Sequence, residues 1–224
     1  MGGSRGWCVL LVTMCLAGAA SAGTIYDLKL DWKKATNPHG PWALVQGAVP
    51  LPAVPDWTPL SNADIAYNPL TGHIKQPAFA PSGGAEPYLP AWFKAAVTPD
   101  SSAFGWRQHD VIVHTTDTSN GAGEGTAAAV FTAPATGAAV ISGYVYNGRN
   151  INRPQTWLVS VNGAIKASGL LPGDGSIIRH TKHAFNLGTV TLNVGDTVLL
   201  QIQEDGGPNG FGDFVGADLK VAYN

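Results

Sequence analysis

Charge is scarce in this sequence. Asp, Glu, Lys and Arg together make up 12% of the 224 residues, and the net charge is −2. Glutamate occurs only at 86, 124 and 204. No run of basic residues interrupts the chain, which argues against a nucleic-acid partner or an anionic membrane surface. Cysteine is confined to Cys8 and Cys15, so residues beyond 22 have no disulfide framework and must be held together by an ordinary core. No segment sustains a helical period. The motifs GxSxG, HExxH and the glycine-rich phosphate loop are all missing, which removes the commonest sequence signatures of hydrolases, metalloproteases and nucleotide-binding proteins. The stretch 121–125 is glycine-rich but lacks the Lys-Ser/Thr that a phosphate cradle needs.

What the chain does contain is glycine (28), proline (16) and a hydrophobic fraction of 45%. Low charge with many turn formers suits an extracellular all-β protein, and the hydrophobic content excludes wholesale disorder. The first residues read as a secretory signal peptide. Arg5 is followed by an apolar stretch over 7–20 and then by Ala20-Ser21-Ala22, the small-x-small pattern of a cleavage site. The apolar core is too short for a membrane helix. The expectation is cleavage after Ala22, an extracellular product, and no membrane insertion after cleavage.

Residues 126–146 set the architecture. A run with Val130 and Phe131 stops at Ala133-Pro134, turns at Gly137, and restarts with Val140, Ser142, Tyr144 and Tyr146 alternating with Ala139, Ile141, Gly143 and Val145. A period of two is that of a half-buried strand, and the Pro-to-Gly break predicts a hairpin between the two runs. Further strands are expected near 24–32, 42–45, 109–114, 156–161, 164–167, 183–187, 189–192, 197–203 and 213–223. Asn162-Gly163 is the strongest hairpin signal of the chain, of type I′. Strands at this spacing predict an all-β sandwich of jelly-roll type, mostly antiparallel. One domain over 23–224 is expected. The segment 47–99 is crowded with proline and so reads as irregular, yet its aromatics imply that it packs on the sandwich.

Several motifs then resemble a known group. They are Asp31-Trp32, Asn37-Pro38-x-Gly40-Pro41-Trp42, His114, Ala129-Val130-Phe131-Thr132-Ala133-Pro134-x-x-Gly137, Val194-Gly195-Asp196-Thr197-Val198 and Gly216-Ala217-Asp218-Leu219. In this order they resemble uncharacterised secreted bacterial β-sandwich proteins of the PEP-CTERM-associated type. Those in turn are similar to galactose-binding, jelly-roll carbohydrate-binding modules. This chain ends at Asn224 without a Pro-Glu-Pro motif or basic tail, so sorting to the surface is not implied. The resemblance implies the sandwich fold and a glycan or cell-surface partner.

Candidate chemistry follows from side-chain types. Asp27 and Asp31 on the first strand, Asp213 and Asp218 on the last, and Asn209 in the loop before it form an oxygen-rich set that suits a structural Ca²⁺. Solvent-facing strand aspartates are the competing reading. Histidines 109, 114, 180 and 183 lack the convergent geometry zinc requires. Sugar recognition needs planar amide or guanidinium groups for hydroxyls and aromatic faces for stacking. The loop 147–154 supplies Asn147, Arg149, Asn150, Asn152 and Arg153, and Trp57, Trp92 and Trp106 lie in or beside loops as candidate platforms. Trp32, Trp42 and Trp157 are assigned to the core. The favoured function is a non-catalytic binding module for carbohydrate. The alternatives are a structural or extracellular-matrix protein mediating protein contacts, and a polysaccharide hydrolase using Glu124 or Glu204 with a nearby aspartate.

Overall fold

The computed structural model describes residues 23–57, 76–81, 89–98, 104–116, 126–205 and 212–224. Those residues form two antiparallel sheets packed face to face, a β-sandwich of jelly-roll type. The strands are β1 (Ile25–Asp27), β2 (Trp42–Gln46), β3 (Val49–Pro50), β4 (Ala53–Trp57), β5 (Gln76–Phe79), β6 (Ala91–Lys94) and β7 (Val111–His114). They continue with β8 (Thr126–Thr132), β9 (Gly137–Asn147), β10 (Gln155–Val161), β11 (Ala164–Leu171), β12 (His183–Leu192), β13 (Thr197–Glu204) and β14 (Phe214–Tyr223).

The larger sheet runs β12-β9-β14-β7-β6-β5-β4, with β1 also pairing to β14. β7 meets β14 at Phe214–Gly216 and β1 meets it at residues 220–222, so the two short strands follow one another along the same side of β14. The smaller sheet runs β11-β10-β13-β8-β2-β3. Alternation sends Phe131, Trp157, Val159, Leu200 and Ile202 inward from the smaller sheet, and Ile141, Val145, Leu219 and Val221 inward from the larger, to form the central core.

Two expectations are corrected here. The Pro134 turn does not make a hairpin: β8 pairs with β13 and β2, whereas β9 pairs with β12 and β14. The connection arches from one sheet to the other. The physical reason is that both runs carry an apolar face, and facing those toward each other buries more than lying side by side. The first strand is also shorter than 24–32. Asp27 ends it, because its carboxylate accepts hydrogen bonds from the Lys29 and Leu30 N–H groups and folds the chain into a turn. Asn162-Gly163 does make the β10–β11 hairpin, with φ of +50° and +78° as a type I′ turn requires.

The proline-rich segment, where described, contributes β3 to β6, of two to five residues each. β4 to β6 extend the larger sheet, and that sheet carries a second apolar cluster on its outer face. Trp57, Phe93, Trp106, Ile112, Tyr146 and Phe214 are its main members. Gly216 is required beneath Tyr146: a Cβ there would collide with the phenol ring, so glycine lets the ring lie flat across β14.

Candidate functional site

The three tryptophans proposed as platforms are inside the protein. Trp57, Trp92 and Trp106 are 2%, 0% and 4% exposed. Trp57 and Trp106 pack on Phe93, with Trp106 also against Phe104 and Phe214, while Trp92 belongs to the central core. Rings of this size contribute more by burial than by exposure; Trp57 and Trp92 sit on strands β4 and β6 of the larger sheet, and only Trp106 lies outside a strand.

The loop 147–154 divides in the same way. Asn147 and Arg149 are buried, and the Arg149 guanidinium lies 5.4 Å from the Phe104 ring centre. Arg153 donates to the Gly212 carbonyl at 2.9 Å, and Asn150 packs against Gly175. Asn150 and Asn152 are the exposed members. Of the loop before 126, only Thr115 and Thr116 are described, and they lie beside Gln155 and Asp213 at one end of the sandwich. There the Thr115 hydroxyl donates to Gln155 Oε1 at 2.7 Å and accepts from the Asp213 N–H at 2.9 Å. This end is a buried polar layer. Glu86, Glu124 and Asn209 lie outside the described residues.

Of the acidic set proposed for calcium, Asp27, Asp31 and Asp218 lie near one another, each already engaged by protein donors. Asp27 pairs with Lys220 at 2.8 Å, its N–H donates to Asp31, and Asp31 also accepts from the Trp42 indole N–H. Asp218 accepts from the Leu219 N–H. Asp213 immediately precedes β14, five residues before Asp218 and roughly 17 Å away at strand rise. Among the described residues no three His, Cys, Asp or Glu side chains come together to hold a metal.

An open groove of about 260 Å³ lies elsewhere, on the outer face of the smaller sheet. Thr156 and Leu158 of β10, Ser168 and Leu170 of β11, and Gln201 and Gln203 of β13 line it. The register makes these a two-by-three lattice. Leu170, Thr156 and Gln203 are opposite one another in one row, and Ser168, Leu158 and Gln201 in the next. Their neighbours Trp157, Val159, Leu200 and Ile202 fill the core, which forces this set outward. Neither glutamine side chain makes a hydrogen bond among the described residues, and no charged residue lines the groove. Two planar amides, two hydroxyls and two leucines therefore face solvent together. The pattern was visible as Thr-x-Leu, Ser-x-Leu and Gln-x-Gln at alternate positions, but only pairing reveals that they share one surface.

The larger sheet's outer face carries the opposite chemistry beyond its aromatic layer. Asp110 is 2% exposed and accepts from Lys29 Nζ at 2.9 Å, Arg179 Nε at 2.8 Å, the Tyr146 hydroxyl at 2.8 Å and the Arg107 N–H at 2.9 Å. Burial opposes its ionisation, yet the hydrogen bonds from Arg179 and Lys29 outweigh it and hold the carboxyl well below the usual range. Asp218, also buried, moves the other way, to about 6. Loss of water is the main cause and the nearby Asp27 charge adds to it, against Lys220 and Lys29. Lys182 stands over the Tyr144 ring with Nζ 3.9 Å from its centre. Residues far apart in the chain thus assemble an ion-pair network of mixed sign.

No protein-family model matches the chain, and no curated protein matches it. Solved structures similar to it include the CBM36-1 domain of a multidomain xylanase from the hindgut metagenome of Trinervitermes trinervoides. That likeness has 12% identity, a TM-score of 0.30, and covers 51% of this chain and 77% of that one. A family 35 carbohydrate-binding module from Clostridium thermocellum is 18% identical with a TM-score of 0.30, over 59% of this chain and 91% of that one. The C-terminal CBM6 of LamC from Zobellia galactanivorans is 9% identical with a TM-score of 0.27, over 50% of this chain and 79% of that one. Likenesses at this level carry no argument about ligand or residue roles.

Proposed function

We propose that the protein is a secreted, non-catalytic module that binds a neutral glycan in the groove formed by β10, β11 and β13. The observation that carries this reading is the uncharged lattice of Gln201, Gln203, Thr156 and Ser168 beside Leu158 and Leu170. Glutamine amides both donate and accept, as a hydroxyl-rich ligand requires, and leucine side chains cover the apolar C–H faces of a sugar ring. A charged ligand would meet no complement there. Hydrolysis of a glycosidic bond needs two carboxylates across the substrate, and the groove lining has none. The signal-peptide pattern before Gly23 supports export.

Titration calorimetry against a panel of neutral oligosaccharides tests the reading. The double change Gln201→Ala and Gln203→Ala is expected to weaken binding about tenfold or more while altering stability by no more than about 0.5 kcal/mol. Binding that survives both changes, or silence across the whole panel, would reject the groove as a glycan site. Self-association with no glycan binding would favour a matrix role instead.

A further inference from the structure

We infer that the groove of β10, β11 and β13 is one part of a wider site, and that the site takes a neutral glycan carrying O-acetyl groups. The inference rests on the glycan reading above and adds to it the row of side chains next to the amides. Ile165, Ser160, Leu199, Val130 and Ala43 lie opposite one another across β11, β10, β13, β8 and β2. Their neighbours along the strands, among them Val161, Leu200, Phe131 and Trp42, fill the central core, so alternation turns this row to the outer face. β11 keeps step through a bulge. The register shifts between Val159 and Ser160, which leaves Ile165 opposite Ser160 and 62% exposed. Leu199 stands two residues from Gln201 on β13, and Ser160 two from Leu158 on β10, so the row lies roughly 7 Å from the groove residues at strand rise.

The chemistry changes across that step. The groove offers amides and hydroxyls beside its leucines, whereas the next row has no amide and one hydroxyl, Ser160, sunk to 5% exposure between Ile165 and Leu199. Leu199, Val130 and Ala43 are half-buried, and no member of the row is charged. Of the six large hydrophobic side chains exposed among the described residues, Ile165 and Leu170 both lie on β11. A single exposed leucine needs no explanation, but an apolar row continuous with a polar groove marks a contact surface. An unmodified sugar chain reaching past Gln201 would press its hydroxyls on Ile165 and Leu199, where they find no partner. Acetylation of such a hydroxyl removes its donor and adds a methyl group for the apolar row. The ester carbonyl is then an acceptor for the Gln201 amide at the boundary. A wholly apolar ligand fits less well, because it would cover Gln201 and Gln203 and leave their amides unpaired. The matching ligand is amphipathic, with hydroxyls over Gln203 and Thr156 and acetyl groups over Leu199 and Ile165.

Partially O-acetylated mannan and xylan oligosaccharides, each beside its alkali-deacetylated counterpart, are titrated into the full chain by calorimetry. The acetylated form is expected to bind about fourfold more tightly or better, the effect of burying one methyl group. Leu199→Thr/Ile165→Thr keeps strand-forming side chains at both positions and is expected to bring the ratio of the two affinities close to one. Ile165→Thr alone, at an exposed side chain, is expected to lower the ratio in part and serves as the readout if the double variant folds poorly. Equal binding of both forms by the unaltered protein, or a ratio that neither variant lowers, would overturn the acetyl assignment and leave the groove reading standing. Silence toward all of these preparations, with binding of other neutral oligosaccharides, would overturn it in the same way. Silence across every neutral glycan would remove both readings. Self-association that Ile165→Thr abolishes would also overturn it, since a second copy of the chain would then cover the row.

Discussion

The two outer faces of this sandwich received opposite treatments. On the smaller sheet the outward positions of β10, β11 and β13 that line the groove are uncharged hydroxyl, amide and leucine side chains, open to solvent. On the larger sheet the outward positions begin as an aromatic layer, Phe93, Ile112, Tyr146 and Phe214, with Trp57 and Trp106 laid over it, and end as a charged patch. An outward face that is apolar must be covered. The cover here comes from loops and short strands too rich in proline to form a sheet of their own. Once an apolar layer excludes water, an aspartate at its margin is costly to bury unless cations close around it. Asp110 meets that condition with Lys29, Arg179 and Tyr146; Asp218, beside the like charge of Asp27, meets it only in part.

Breaking the cover should have the largest effect. Trp106→Ala removes a ring that touches Phe93, Phe104 and Phe214 and is expected to cost about 3–5 kcal/mol in chemical denaturation. The groove should lose affinity for its ligand only in proportion to the unfolded fraction. A loss below about 1 kcal/mol would mean that the outer layer is not a second core.

Next comes the hub. Asp110→Ala leaves two cations and a phenol without their shared acceptor, at a cost of about 3 kcal/mol near neutral pH. Its carboxyl ionises more readily in the folded protein than in the unfolded chain. The stability it contributes is therefore present above the ordinary carboxylate range and is lost as pH falls below about 4. The difference between wild type and variant should shrink over that acid range, and a constant difference would contradict an ionic role.

Asp218 should sharpen the contrast with a smaller effect of opposite sign. Its folded value of about 6 lies above that of the unfolded chain, so folding favours the protonated form. Its contribution is fully present below about pH 4 and is lost as pH rises through 6. Asp218→Asn is expected to stabilise the protein by about 2 kcal/mol at pH 8 and to change little at pH 4. A melting temperature lowered at pH 8 would show that the ion pairing with Lys220 outweighs burial.

Much of the fold was legible because its signals are local. Alternation in 137–147, 155–161 and 214–223 and the Asn162-Gly163 turn each involve neighbours in sequence. The β8–β9 hairpin was misread because a turn between two apolar runs has the same local chemistry whether the strands pair or face each other across a core. The tryptophans were misplaced because prolines nearby made 47–99 read as irregular, whereas Trp57 and Trp92 lie on short strands of the larger sheet. The groove was missed for a related reason: attention fell on loops, while Gln201, Gln203, Thr156 and Ser168 sit on strands whose register alone makes them neighbours.

The sequence by itself determined an all-β sandwich, through a period of two, well-marked turns and a core without cysteine. Tertiary structure decided where charge lies. Lys29, Asp110, Tyr146, Arg179 and Asp218 come from five distant stretches, and no local pattern links them. Only the pairing of β14 with β9, β7 and β1 brings those stretches onto one face. Coulomb and hydrogen-bond energies depend on distance in space, which a low-charge sequence such as this one does not display along its length.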